Sequence, residues 1–148
     1  PITYGHLDII DRASKLYSNL YIGISKDETI KGKLFSTLER IELTKDAVKE
    51  FDNIEVISFD GLLVEFCNKI DCNVIIRGLR ALSDYEYEFK MALMNRTLSN
   101  DIVTLFMMPH ERYTHISSSL IREVSLLGGD ISSYVPESVS NALREKFE

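Results

Sequence analysis

Asn73-Val74-Ile75-Ile76-Arg77-Gly78-Leu79-Arg80 runs from an unbroken apolar segment into two arginines set around a glycine. An apolar segment without alternation reads as a strand covered on both faces, the condition of a parallel sheet flanked by helices. Such sheets bind ligands beyond the carboxyl ends of their strands. Arg77 and Arg80 are therefore expected where an anion would be held, because a guanidinium fork suits phosphate. The plain alternative is a solvated strand-end turn; the strand that aims this loop at the cleft argues against it.

Outward from this segment the pattern alternates helix and strand. His6 to Tyr17 sets Ile9, Ile10, Ala13, Leu16 and Tyr17 on one helical face, and Leu20 to Ile24 is a short strand. Ser36 and Glu39 form a capping box opening a helix through about Phe51. Ile54 to Ser58 reads as a strand, Leu62 to Ile70 as a helix, Asp84 to Leu98 as a longer helix and Ile102 to Met107 as a strand. Ser117 to Leu127 is a helix stopped by Gly128 and Gly129, and Pro136 to Phe147 is a last amphipathic helix. The expectation is an α/β fold with a doubly wound parallel sheet, in a single domain over 1–148.

Composition limits the function. The 148 residues suffice for one sizeable core. A net charge of −6 argues against a nucleic-acid or anionic-membrane binder. No apolar run reaches membrane-spanning length, and without a signal peptide the cytoplasm is the default. Cys67 and Cys72 lack CxxC spacing and lie far in sequence from His6, His110 and His115. They read as reduced, partly buried thiols, and no protein-built metal site is expected.

Several segments look built for phosphate. Thr3-Tyr4-Gly5-His6 lies at a helix N-terminus, where free N–H groups and the dipole attract anions. His6 adds a donor that can follow charge onto a phosphoryl oxygen. Ile116-Ser117-Ser118-Ser119-Leu120-Ile121-Arg122 forms a second cradle, with Arg122 in reach of the same anion. Lys26, Lys31 and Lys33 occupy a polar loop that can close over phosphates, and spacing does not distinguish among them. In Asp84-Tyr85-Glu86-Tyr87-Glu88 the acids complement a helix dipole. Glu88 could instead bond a ribose hydroxyl or a water. Each segment alone has an ordinary structural reading, as a helix start, an N-cap or a solvated loop. Together they indicate transfer by positioning and charge stabilisation, since no residue set suggests a covalent nucleophile.

TxGH near the start, ISSSxxR near the end, and RGLR followed by DYEYE between them resemble bacterial phosphopantetheine adenylyltransferases over essentially the whole chain. TxGH with ISSSxxR marks the wider nucleotidyltransferase superfamily, and the RGLR and YEYE block narrows it. The resemblance implies a Rossmann-like fold of nucleotidyltransferase type and transfer of AMP from ATP to 4′-phosphopantetheine. It also implies Mg²⁺ as helper and a homohexamer. It marks His6, Lys31 and Arg80 as catalytic, His6 stabilising the pentacoordinate transition state. Lys33 remains open beside Lys31. Gly78, Leu79, Arg80 and Glu88 match ATP contacts, as do Tyr113, Thr114, His115, Ile116, Ser117, Ser118, Ser119 and Arg122. Lys31, Leu63 and Arg77 match contacts to the acceptor.

The same resemblance implies an opening strand and a G-[ST]-F-D-P turn, of which only Pro1 is present. A strand ahead of the first helix is accordingly expected in mid-sheet. Direct pairing of Leu20–Ile24 with Asn73–Ile76 would mean that the sheet has closed without it. Two rivals stand beside the main reading: AMP or CMP transfer to another phosphate such as nicotinamide mononucleotide, and a nucleotide-binding module without activity.

Overall fold

The computed structural model describes residues 1–26 and 34–147. Helix α1 (Tyr4–Ser14) begins two residues before the expected His6. Its start is set by Thr3, whose backbone N–H donates to His6 Nδ1 at 3.1 Å. Histidine here takes the part that glutamate plays in an ordinary capping box, which is why the sequence pattern hid the boundary. The expected box at α2 (Thr37–Ala47) is present: Glu39 N–H donates to Ser36 Oγ at 3.2 Å, and Ser36 N–H to Glu39 Oε2 at 2.7 Å. That helix stops short of Phe51. The chain turns at Val48–Phe51, and Asn53 then donates to the carbonyls of Ser14 and Tyr17.

Strand β1 (Leu20–Ser25) pairs in parallel with β2 (Ile54–Phe59), Leu20 opposite Ile54 and Ser25 opposite Phe59. Helix α3 (Leu63–Lys69) leads to β3 (Val74–Gly78), which pairs in parallel with β4 (Val103–Met107), Gly78 opposite Met107. Helix α4 (Leu82–Leu98) connects the latter two strands and begins two residues before the expected Asp84. A 3-10 turn (Glu111–Tyr113), α5 (Ser118–Leu126) and α6 (Glu137–Phe147) follow. The alternating order and parallel pairing agree with the expected α/β fold. Among the described residues, however, the strands form two separate pairs, β1–β2 and β3–β4, rather than one sheet. β1 and β3 are not hydrogen-bonded to each other, so the sheet has not closed across that position.

Two clusters of buried side chains tie these elements together. Phe35, Ile116, Ile121, Ile131, Val135, Val139 and Leu143 join α5 and α6 to the start of α2. Val64, Cys67, Ile75 and Ile102 join α3 to the β3–β4 pair, with Leu63 packed against them. At the end of α5, Gly129 N–H bonds Val124 O at 2.9 Å and Gly128 N–H bonds Ser125 O at 3.0 Å. This is a Schellman motif, and Gly128 sits at φ +77° in the left-handed region. Gly128→Ala should lower stability by about 1–2 kcal/mol. The check is a urea midpoint shift at constant m; an unmoved midpoint would show that the stop does not depend on glycine.

Candidate active site

His6 stands in the first turn of α1, exposed on one side. Nδ1 accepts the Thr3 N–H, and the Thr3 hydroxyl lies 2.8 Å from the same nitrogen. With Nδ1 an acceptor, the proton of the neutral ring rests on Nε2, available to a ligand. The protein packed around the ring lowers its pKa from 6.5 to about 4, reinforced by the positive charges of Arg80 and Arg77. Water on the open side screens part of that field. The direction makes His6 a neutral donor at pH 7.

Arg77 and Arg80 reach this place from the end of β3. The β3–β4 ladder continues past the strand, with Leu79 N–H on Met107 O at 2.9 Å, and Leu79 is buried. Its burial anchors the loop between the two arginines. Arg77 donates through Nε and Nη2 to the two oxygens of Glu88, each at 2.7 Å. That contact raises the Arg77 pKa further. Arg80 donates through Nε and Nη2 to Asp84 at 2.9 and 3.1 Å, and through Nη1 to the Ile116 carbonyl at 2.8 Å. Two segments 36 residues apart are thereby joined. A Cβ on Gly78 would come within 2.6 Å of Ile9 Cδ1, the tip of a side chain on α1 that would have to shift to admit it.

The second cradle assembles beside it. Ser117 caps α5, its Oγ accepting Leu120 N–H at 3.0 Å, and Ser118 donates to the Pro1 carbonyl at 2.8 Å. Ser118, Ser119 and Arg122 line a recess of about 140 Å³ together with Pro1, Phe35 and Arg40. The Ile116 side chain is buried in the core, and its carbonyl is the one that accepts from Arg80. Thr114 turns its hydroxyl back to Glu111 O at 2.8 Å, and His115 meets the Tyr134 ring edge-on at 6.1 Å. Tyr113 lies under the Arg112 guanidinium, 4.6 Å from the ring centre. A Cβ on Gly5 would stand 3.3 Å from Tyr113 Cβ, so glycine lets α1 and this loop meet.

The structure brings His6, Arg77, Arg80 and the α5 N-terminus to one side of the fold. Glu88 lies behind Arg77, with both carboxylate oxygens engaged by it. Leu63 packs on the α3 core. Lys31 and Lys33 lie outside the described residues. The sequence reading missed three contributors. Arg40 of α2 reaches the recess and donates to the Ser25 carbonyl at 2.7 Å, while its Nε is buried without a hydrogen-bond partner. Asp8 accepts His110 N–H at 3.0 Å and pairs with Arg12, which also donates to the Met108 carbonyl. These two pin the turn leading to Tyr113, and no local pattern could reveal a contact spanning 102 residues. Cys67 is buried, and desolvation raises its thiol pKa, which disfavours the thiolate.

A family model described as cytidylyltransferase-like matches residues 1–124. With alternating helices and strands and parallel strand pairing, the chain belongs to that nucleotidyltransferase family. It is 46% identical over 148 residues to a phosphopantetheine adenylyltransferase of Caldanaerobacter subterraneus subsp. tengcongensis, spanning 100% of this chain and 92% of the relative. The enzyme of that name from Staphylococcus carnosus is 46% identical over 147 residues, spanning 99% and 91%. That from Vesicomyosocius okutanii is 49% identical over 147 residues, spanning 99% and 92%. At these identities the branch of the family is that of the phosphopantetheine adenylyltransferases.

Proposed function

We propose that residues 1–148 work as a single domain that transfers the adenylyl group of ATP to 4′-phosphopantetheine, giving dephospho-coenzyme A and pyrophosphate. The observation that carries the chemistry is the convergence of Arg77 and Arg80 on a neutral His6 whose Nε2–H is free to donate. The named relatives carry the choice of acceptor and favour it over nicotinamide mononucleotide. An acceptor phosphate oxygen attacks the α-phosphorus in line. The new P–O bond forms as the bond to the β-phosphate bridging oxygen breaks, and pyrophosphate leaves. His6 donates to the oxygen on which charge builds, and Arg80 and the α5 N-terminus face the nucleotide phosphates. Arg77 holds the acceptor phosphate and, by the resemblance, Lys31 assists. No covalent intermediate with the protein forms.

Among the described residues no group of three or more His, Cys, Asp or Glu side chains could hold a metal. By the resemblance Mg²⁺ acts as helper, carried on the phosphates of ATP as part of the substrate. The enzyme works in the cytoplasm; no helix among the described residues is long and apolar enough to cross a membrane. It assembles as a homohexamer, for which the exposed Tyr87, Leu93 and Met94 of α4 and Val103 and Leu105 of β4 offer apolar surface.

Pyrophosphate release from ATP tests the reading across acceptors. Release with 4′-phosphopantetheine, and little with nicotinamide mononucleotide or glycerol phosphate, is the expected result. Preference for another acceptor would replace the substrate, and release with none would leave a binding module.

A further inference from the structure

Asp8 lies two residues past His6 on α1, yet its side chain bonds a distant part of the chain. One oxygen, Oδ2, accepts the His110 backbone N–H at 3.0 Å and Arg12 Nη2 at 3.0 Å. The same Arg12 nitrogen donates onward to the Met108 carbonyl. One turn earlier, the Tyr4 and Tyr113 rings stand 6.5 Å apart. Tyr4, Asp8 and Arg12 are spaced by four and so share one face of α1. They meet Tyr113, His110 and Met108 in that order, so the segment after β4 runs antiparallel along the helix. An Asp–Arg pair one helix turn apart contributes little by itself at a surface. Here the pair is joined to backbone groups 102 and 96 residues away. A carboxylate on a backbone N–H is a charge-assisted, directional bond.

From His110 the constraint passes along the backbone. Its Nδ1 accepts the Arg112 N–H at 3.3 Å, and its carbonyl accepts the Tyr113 N–H at 2.9 Å, which closes the 3-10 turn. The Tyr113 carbonyl in turn accepts the Ile116 N–H at 3.1 Å, and Ser117 follows as the cap of α5. We infer that Asp8 is a positioning residue: through the His110 N–H it holds the segment from Tyr113 to the α5 N-terminus in register with His6, which stands on the same helix. The inference rests on the adenylyltransferase reading, in which the α5 N-terminus faces the phosphates of ATP. A segment held in place beforehand binds more tightly, because less ordering remains to be done at association. Arg77, which that reading gives to the acceptor, stands at the end of β3 and bonds Glu88 of α4, outside this chain of contacts. The effect of Asp8 should therefore fall on ATP and spare 4′-phosphopantetheine.

The test is a double-mutant cycle on the full chain, read by calorimetric binding of ATP and of 4′-phosphopantetheine. Asp8→Ala removes the acceptor. His110→Pro removes the donor and suits the backbone, since His110 has φ −54° and proline is fixed close to that value. His110→Ala removes the ring but keeps the N–H, and is the control. Asp8→Ala and His110→Pro should each weaken ATP on the order of tenfold, within the range for coupled residues. Combined, they should lose less than about twofold more than either alone. His110→Ala should bind ATP within about twofold of the wild type, and all variants should keep 4′-phosphopantetheine within the same margin. Asp8→Asn retains an oxygen for the N–H and should recover most of the loss, which also serves if Asp8→Ala does not fold. Equal weakening of both ligands would overturn the inference, because a general loosening of the fold has that result. So would additive losses, unchanged ATP binding, or a His110→Ala loss as large as that of His110→Pro. Wild-type pyrophosphate release with 4′-phosphopantetheine, measured alongside, reports on the functional reading separately from the ATP cycle.

Discussion

Replacing His6 with alanine is expected to lower turnover on the order of a hundredfold or more, the scale of losing one preorganised donor to a developing oxyanion. ATP affinity should change far less, because the donor meets charge that appears in the transition state and not in the ground state. The geometry behind this is specific. Thr3 holds Nδ1 as an acceptor, so the neutral ring presents Nε2–H. Burial, Arg80 and Arg77 all oppose a second proton and lower the pKa to about 4. A further consequence is a pH dependence of stability. The folded pKa lies below the unfolded value of 6.5, so unfolding takes up a proton between them. The contribution of neutral His6 is present above pH 6.5 and lost as pH falls through about 4. Over that range stability should fall less steeply in His6→Ala than in the wild type. Turnover within a fewfold of the wild type would remove His6 from the chemistry.

The second large effect is expected far from the phosphates. Leu143 of α6 is fully buried, in one cluster with Ile116, Ile121, Val135 and Val139. Leu143→Ala should cost about 2–5 kcal/mol, the sum of lost transfer energy and a cavity the neighbours only partly fill. Ile116 and Ile121 flank the serines of the α5 cradle and pack in the same cluster. The loss should therefore reach function as weaker ATP binding at temperatures well below unfolding. Urea unfolding of the variant measures the first effect, and calorimetric ATP titration the second. A loss below about 1 kcal/mol would mean that α6 is not a supporting wall for the cradle. This helix lies beyond the 1–124 match to the family model, so the site leans on a part of the chain outside that match.

Element types, and the emergence of Arg77 and Arg80 at the end of a buried strand, were legible in the sequence because they rest on local chemistry. The apolar Val74–Ile76 segment needed cover on both faces, and the arginines after it had to emerge at the end of β3. The Ser36–Glu39 box and the Gly128–Gly129 stop act within one helix turn, so their residue types alone fixed those ends. Pairings between distant segments were not legible. Nothing in the spacing says that Arg80 donates to Ile116, that Asp8 holds the turn at His110, or that Arg40 crosses to the α5 recess. Nor did composition separate Glu88, locked on Arg77, from the solvated Glu86 two residues earlier. A carboxylate's task is set by which charge the fold brings within about 3 Å, where Coulomb attraction and hydrogen bonding outweigh its preference for water. That proximity arises only once α4 has packed beside the β3–β4 pair. Sequence determined which side chains stand at helix starts and strand ends; tertiary packing decided which partners hold them.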